Sequence, residues 1–185
     1  MEYYVVKYAG PFGFIKPWTA VRDSKTFSQQ FLTPSIVEGI RQKLEVTSIV
    51  RHKLCYSFVS VQQEQTQPRG WEKQTKLKMM VRTKSILERG VLINPVLLLA
   101  FDNELDAQKA CSQHICLCRN EDILLPDSEV KELSEEAFNK LAGFELRFGE
   151  NESSFLVGFN RFDECKPMYG WLEISGNPLS ANEES

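Results

Sequence analysis

Apolar positions open the chain as an almost unbroken run from Tyr3 to Tyr8, which reads as a strand. The turn Gly10-Pro11-Phe12-Gly13 follows, and its two glycines permit close approach by a chain segment or a phosphate. Ile36, Val37, Ile40 and Leu44 then recur at helical spacing. Thr33-Pro34-Ser35 marks the start of that helix. Thr33 suits the cap and Pro34 the first turn, while an alternative cap at Ser35 has Glu38 three residues on, completing a capping box. Ile49 to Gln62 alternates imperfectly and predicts one or two strands, with Tyr56, Phe58, Val59 and Val61 as core or sheet residues. Gln62 to Met80 has little apolar content, a Pro-Arg-Gly turn and patterned charge, so it is expected to form a hairpin or arm.

Beyond the arm the pattern is structural. Val91 to Phe101 reads as one buried strand, Asn103 to Gln113 as a short helix capped by an Asp or Asn, and Ile115 to Arg119 as another strand. Asp127 to Leu141 carries Val130, Leu133, Ala137, Phe138 and Leu141 at the spacing of an amphipathic helix. Strands follow at Phe144 to Phe148, Phe155 to Phe159 and Tyr169 to Ile174, and Ser175 to Ser185 is a polar tail expected to fray.

Composition narrows the class. The 185 residues are 42% hydrophobic, the profile of one soluble domain or a domain with an appendage. The run Val91 to Phe101 is about half a bilayer span and contains Asn94 and Pro95, and the N-terminus has no signal-peptide pattern, so the expected setting is cytoplasmic, without membrane. The five cysteines are then expected to be reduced. A net charge of −3 conceals an asymmetry: through Gly90 there are 15 Lys and Arg against 7 Asp and Glu, and after it 7 against 18. A basic face confined to one half is the electrostatic quantity that matters for a polyanionic partner.

The basic half has the residues for such a partner. Lys16, Trp18, Arg22 and Lys25 place a ring and cations on an irregular ledge suited to bases and phosphates. Ser35 sits in the first turn of the helix, whose free amides and positive dipole end favour an anion, with Arg41 and Lys43 further along. In and beside the arm, Arg69, Lys73, Lys76, Lys78, Arg82 and Lys84 can neutralise phosphates, while Trp71 or Met79 can wedge against bases. A solvated loop, a surface helix and a surface arm account for the same residues without a ligand.

Catalytic and metal signals are weak. Cys111, His114, Cys116 and Cys118 fall within eight positions, whereas structural zinc sites draw on two separated ligand pairs. A helix ending near Gln113 and a strand burying Cys116 and Cys118 explain the cluster, so no metal and no cofactor are expected. His52 and His114 are the two histidines, and neither lies in a nucleophile motif; no Walker loop, dinucleotide fingerprint or helical metalloprotease motif is present.

The run Tyr3 to Phe12, followed by Phe31-Leu32-Thr33-Pro34-Ser35-Ile36-Val37-Glu38-Gly39-Ile40, resembles the CRISPR-associated Cas-five family of the repeat-associated RNA-binding superfamily. Tyr56 to Val61 with Gln62-Gln63-Glu64-Gln65 resembles the strand leading into that family's thumb, and Arg82 to Phe101 resembles the later strands of the type I-C branch. The resemblance spans about the first two-thirds of the chain. It implies an α+β fold: a ferredoxin-like core, similar to an RNA-recognition module, over residues 1–120 with a protruding basic thumb hairpin at about 62–80. A small C-terminal extension at 121–174 would pack on that core, followed by a tail at 175–185.

It further implies a subunit of a class 1 effector complex that caps the 5′ handle of a CRISPR RNA. Backbone subunits would be its neighbours, a large or nuclease subunit a further candidate partner, and target DNA or RNA an indirect one. The glycine turn and Lys16 to Lys25 would line the handle, and Arg69 to Lys78 would be the thumb. Some type I-C relatives cleave precursor RNA with a tyrosine just after the first helix and a later lysine–histidine pair. Here the helix end reads Leu44-Glu45-Val46, and Lys109 and His114 are not adjacent, so a non-catalytic holder of RNA is expected. The alternatives are a metal-independent endoribonuclease using His52 or His114, and a protein–protein adaptor with no RNA role.

Overall fold

The N-terminal apolar run forms strand β1 (Glu2–Ala9), and both of its faces are buried, Val6 and Tyr8 on one and Tyr3 and Val5 on the other. The computed structural model describes residues 1–17, 25–66, 70–76, 78–81, 85–160 and 163–179. After β1 come β2 (Phe12–Gly13), β3 (Lys25–Phe27), helix α1 (Pro34–Leu44), β4 (Arg51–Cys55) and β5 (Phe58–Thr66). Then follow β6 (Glu72–Gln74), β7 (Met79–Val81), β8 (Ser85–Ile93), β9 (Val96–Phe101), helix α2 (Glu104–Cys111), β10 (Ile115–Cys116) and β11 (Ile123–Ser134). Helix α3 (Glu135–Lys140) and strands β12 (Gly143–Phe148), β13 (Phe155–Asn160) and β14 (Lys166–Ser175) complete the order.

The protein is a mixed α+β fold of mostly antiparallel sheets. Its main sheet has eight strands in the order β10-β11-β1-β9-β4-β12-β14-β13. Helices α1 and α2 cover one face, where Val37, Ile40, Leu44, Ala107 and Ala110 pack with Val6, Tyr8, Leu54, Leu97, Leu99 and Phe101. Helix α3 covers part of the other, with Phe138 against Tyr3, Val5 and Ala100. Within this sheet β1, α1, β4, β9, α2 and β11 follow one another as a β-α-β-β-α-β series whose strands lie in the order β11-β1-β9-β4. The segment 121–174 supplies β11, β12, β13 and β14, so these strands continue the sheet on both sides of the N-terminal elements.

Between β4 and β9 the chain leaves for a second sheet. Strands β5 and β8 pair over nine consecutive positions, from Phe58 opposite Ile93 to Thr66 opposite Ser85, and β6 and β7 form a two-stranded segment between them in sequence. The arm is therefore longer than Gln62 to Met80. Of the four residues assigned to core or sheet around it, Tyr56 is buried, while Phe58, Val59 and Val61 lie exposed on β5.

Three further sequence expectations are corrected. Val91 to Phe101 is two strands in two sheets, because Asn94 adopts a positive φ of 48° before Pro95 and turns the chain from β8 into β9. Asp127 to Leu141 is not one helix. Its first half is β11, where Val130 faces the core under α1 and α2 and Leu133 the core under α3; the separation of three that imitates a helix face here feeds opposite faces of a strand. Only Glu135–Lys140 is helical, capped by the Ser134 hydroxyl, which accepts from the Ala137 amide at 3.2 Å. The third concerns the cysteine strand: β10 is two residues long, and it is Ile115 and Leu117 that are buried, with Cys116 half-buried and Cys118 exposed.

Strand β4 is buried throughout although it reads Arg-His-Lys-Leu-Cys. Arg51 meets Glu145 of β12 in a two-pronged pair at 2.5 and 2.7 Å, with both side chains inaccessible. Lys53 donates to the carbonyls of Asn139 and Leu141 and to the Ser175 hydroxyl, and its ammonium lies 5.4 Å from the Phe138 ring centre. These bonds tie α3 and the end of β14 to the sheet. His52 points to the other face, 5.9 Å from the Phe148 ring, and burial, followed by the charges of Arg51 and Arg147, pushes its pKa down to about 3.

Removing Arg51 strands the Glu145 charge, so Arg51→Ala is expected to cost about 3–5 kcal/mol in urea unfolding. His52 is neutral when folded and ordinarily basic when unfolded. Its contribution is complete above about pH 6.5 and is lost as pH falls toward about 3, since the unfolded chain then binds the extra proton. His52→Leu should therefore flatten the stability–pH curve by roughly 1 kcal/mol per pH unit between pH 6 and pH 5, measured by denaturant titration.

Candidate nucleic-acid interface

Thr33 is the N-cap of α1, yet its hydroxyl hydrogen-bonds the Ser35 hydroxyl at 3.1 Å instead of a helix amide. Its carbonyl accepts from the Ile36 and Val37 amides, both at 3.0 Å. The capping box from Ser35 to Glu38 is not made. Glu38 accepts instead from Arg41 at 2.7 and 2.8 Å and from Gln42 at 2.8 Å, and these bonds, Arg41's first, hold its carboxyl down to about 2. Arg41 also donates to the Val46 carbonyl at 3.0 Å, so this cation staples the end of its own helix. Lys43 is exposed one turn on.

The N-terminal half of α1 forms one wall of an open cavity of about 820 Å³. Thr33, Ser35, Glu38, Gly39 and Gln42 face Val157, Gly158, Phe159 and Asn160 of β13, with Met168 of β14 beside them. A bulge between Leu156 and Gly158 shapes the second wall, and Phe159 stays half exposed on it. Gly39 opens the first wall, since a methyl group there would touch nothing. Hydroxyls, amides, the Glu38 carboxylate and flat or soft apolar groups line the space; no lysine or arginine is among the lining residues.

The glycine turn after β1 serves the chain's own packing. A Cβ on Gly10 would fall on the Ile123 carbonyl oxygen and 2.7 Å from a Leu124 methyl, and one on Gly13 would sit 2.5 Å from a Leu117 methyl. Neither glycine has a positive φ, so close approach by a chain segment is what selects them. Beyond the turn, the guanidinium groups of Arg89 and Arg119 both lie near the Phe14 ring, 5.8 and 5.6 Å from its centre. Arg119 is held by fully buried Asp122 at 2.6 Å and also reaches Glu64 of the arm at 3.9 Å, which joins the arm's base to the core.

The expected cations divide by their occupation. Lys25 on β3 pairs with Glu88 of β8 at 3.5 Å and lies 5.7 Å from the Phe27 ring, so ledge and arm are adjacent. Lys16 is exposed. On the arm, Lys73, Lys76 and Lys78 are exposed together with Trp71, Met79 and Met80, giving a stretch of cations and large apolar side chains. Ser35 belongs to the cavity, whereas Arg41 and Lys43 lie further along α1. Trp18, Arg22, Arg69, Arg82 and Lys84 lie outside the described residues.

Sequence reasoning missed the β13 wall and the two arginines at Phe14. Gly158 inside an otherwise apolar strand was the available sign of the bulge, while the approach of Arg89 and Arg119 to Phe14 had no local signature. Among the described residues no group of three or more His, Cys, Asp and Glu is placed to hold a metal ion, and no helix is long and apolar enough to cross a membrane.

The fold thus belongs with mixed α+β proteins built on antiparallel sheet. No protein-family model and no curated protein matches the chain. Among solved structures, a chain of a CRISPR RNA-guided surveillance complex is similar in fold, with a TM-score of 0.55 at 10% sequence identity, covering 97% of this chain and 92% of that one. At that identity the likeness is one of fold.

Gly39 costs α1 conformational entropy without filling a tight contact. Gly39→Ala should raise stability by about 0.5–1 kcal/mol, read as an increase in thermal midpoint. Gly39→Trp should fill part of the cavity, which a blue-shifted emission relative to the parent protein would report.

Proposed function

We propose that this chain is a non-catalytic subunit of a class 1 CRISPR effector complex, binding and capping the 5′ handle of the CRISPR RNA and anchoring the adjacent backbone subunits. The observation that carries this reading is the near-complete mutual coverage with a chain of an RNA-guided surveillance complex, combined with a basic arm inserted in the chain between β4 and β9 of the main sheet. The β-α-β-β-α-β series with strand order β11-β1-β9-β4 is the order of a ferredoxin-like unit, the scaffold of RNA-recognition modules. The arm leaves between the second and third strands of that unit.

Charge supports the same assignment. Lys73, Lys76 and Lys78 are exposed on the arm, and Trp71, Met79 and Met80 are exposed beside them. Cations for phosphates and flat or soft groups for unstacked bases are the usual means of holding single-stranded RNA. Lys16 and the cavity at α1 offer further contacts near β1 and the helix start.

The two histidines give little support to RNA cleavage. His52 is sealed inside β4 and stays neutral, and the ammonium of Lys109, the lysine nearest His114 in sequence, is directed to the Glu45 carbonyl at 3.3 Å and to Asp106 at 3.9 Å. Neither arrangement presents an acid–base pair to a phosphodiester.

The purified chain should bind a repeat-derived 5′ handle in a salt-sensitive manner. Reversing Lys73, Lys76 and Lys78 to glutamate should weaken binding at least tenfold and reduce the salt slope by about 0.7 for each phosphate no longer neutralised. Reversing Glu135 and Glu136 on α3 should leave binding intact. Equal weakening by both sets, measured by fluorescence anisotropy, would place the RNA elsewhere; metal-independent cutting of repeat RNA that disappears in His114→Ala would make the protein a nuclease.

A further inference from the structure

Among the described residues, strand β5 differs from the other sheet margins. It pairs with β8 without interruption for nine residues, and among the described residues no strand pairs with its outer side. The far side of β8 is taken by β2 and β3. Long free edges invite pairing, and proteins ordinarily blunt them with short strands, bulges, prolines or lysines. The main sheet does so at both margins: beyond the two residues paired with β10, β11 carries Pro126, Lys131 and an irregular register against β1, and β13 is bulged between Leu156 and Gly158. Strand β5, reading Phe-Val-Ser-Val-Gln-Gln-Glu-Gln-Thr, has no bulge, no proline and no lysine.

Its chemistry selects an occupant. Val59 and Val61 share a face with Ile86 of β8, and the Phe27 ring lies over Gly90, the residue opposite Val61. All four side chains are exposed, from 36% for Val59 to 52% for Ile86. Glu64, the one charge on β5, is turned back to Arg89 at 3.6 Å and Arg119 at 3.9 Å. An edge of nine residues without a cation has nothing to neutralise phosphate, which separates it from Lys73 of β6 and from Lys76 and Lys78 before β7. Among the described residues its outer backbone groups have no strand partner, and it has apolar side chains at alternate positions, the two requirements for adding a strand.

We propose that the outer edge of β5 is a docking site for an extended, uncharged strand of another protein chain, added to the arm by backbone hydrogen bonds with apolar or β-branched side chains matched to Val59 and Val61. This rests on the edge alone and stands apart from RNA binding at the lysines. The arm would then hold two partners at once, protein along its edge and polyanion at its basic segment.

Amide hydrogen exchange on the full chain tests it, with a capped Thr-Val-Thr-Val-Thr-Val peptide as probe. Amides of β5 that exchange freely in the protein alone should slow at least tenfold at saturating peptide. Val61→Lys should weaken peptide binding at least tenfold and Val61→Thr should retain it, with handle RNA binding equal in both. Should Val61→Lys misfold, as seen by faster exchange in β9, Gln63→Lys on the same face replaces it. Absence of protection by the peptide would overturn the proposal, as would protection by oligouridine in its place. A concentration-dependent dimer that Val61→Lys dissolves would also overturn it, assigning the edge to a second copy of this chain.

Discussion

The pairing of Arg51 with Glu145 sets the terms on which this sheet can exist. Strand β4 lies between β9 and β12 with both faces closed, so each polar group it carries must find a partner inside the protein. Arg51 finds Glu145 on the neighbouring strand, and Lys53 finds two carbonyls and a hydroxyl from the segment around α3 and from the end of β14. Side-chain period fixes the register: a slip of one position would send both cations to the face packed by α1 and α2 and bring Leu54 to the face that offers acceptors. The charges therefore act as a key for alignment, and the apolar core supplies the favourable burial.

From this aligned sheet the outer parts take their positions. Strand β9 lies beside β4 in the sheet, so the excursion through β5 to β8 begins and ends at neighbouring points. The link from Glu64 through Arg119 to Asp122, with Arg89 and Arg119 both near the Phe14 ring, fixes how the arm meets the core. Helix α1 lies on the opposite side of the sheet from α3, and its first turns face the β13 bulge across open space.

Much of the fold was legible in the sequence where local chemistry and tertiary demand agree. Pro34 and the spacing from Ile36 to Leu44 specified α1, Asn103 specified the cap of α2, and the apolar run of β1 specified a strand covered on both sides. The pattern misled where one residue serves two cores. Val130 and Leu133 have helical spacing, but each lies on its own face of β11, and only the presence of α3 across the sheet makes both apolar. A strand in which Arg51 and Lys53 are buried cannot be recognised without the Glu145 that answers them from far along the chain. For the interface, side-chain identity located the cations but not their occupation. Arg41 looks like a free anion ligand in sequence and is spent on Glu38 and Val46, and Lys25 looks free and is set against Glu88. Division into a basic and an acidic half likewise described composition correctly while the sheet interleaves the two halves strand by strand.

Ninety-four positions separate Arg51 from Glu145 along the chain. During synthesis, β4 emerges long before the strand that neutralises its arginine, and before the α3 segment that accepts from its lysine. The basic half thus has no way to finish its own sheet as it leaves the ribosome; β4 stays unburied at a growing margin until β12 arrives. Two acts of assembly that look independent in the finished molecule, closing the sheet and presenting the arm, are in this order coupled in time. The acidic half, which supplies β12 and the α3 segment, is what decides when β4 is closed into the sheet.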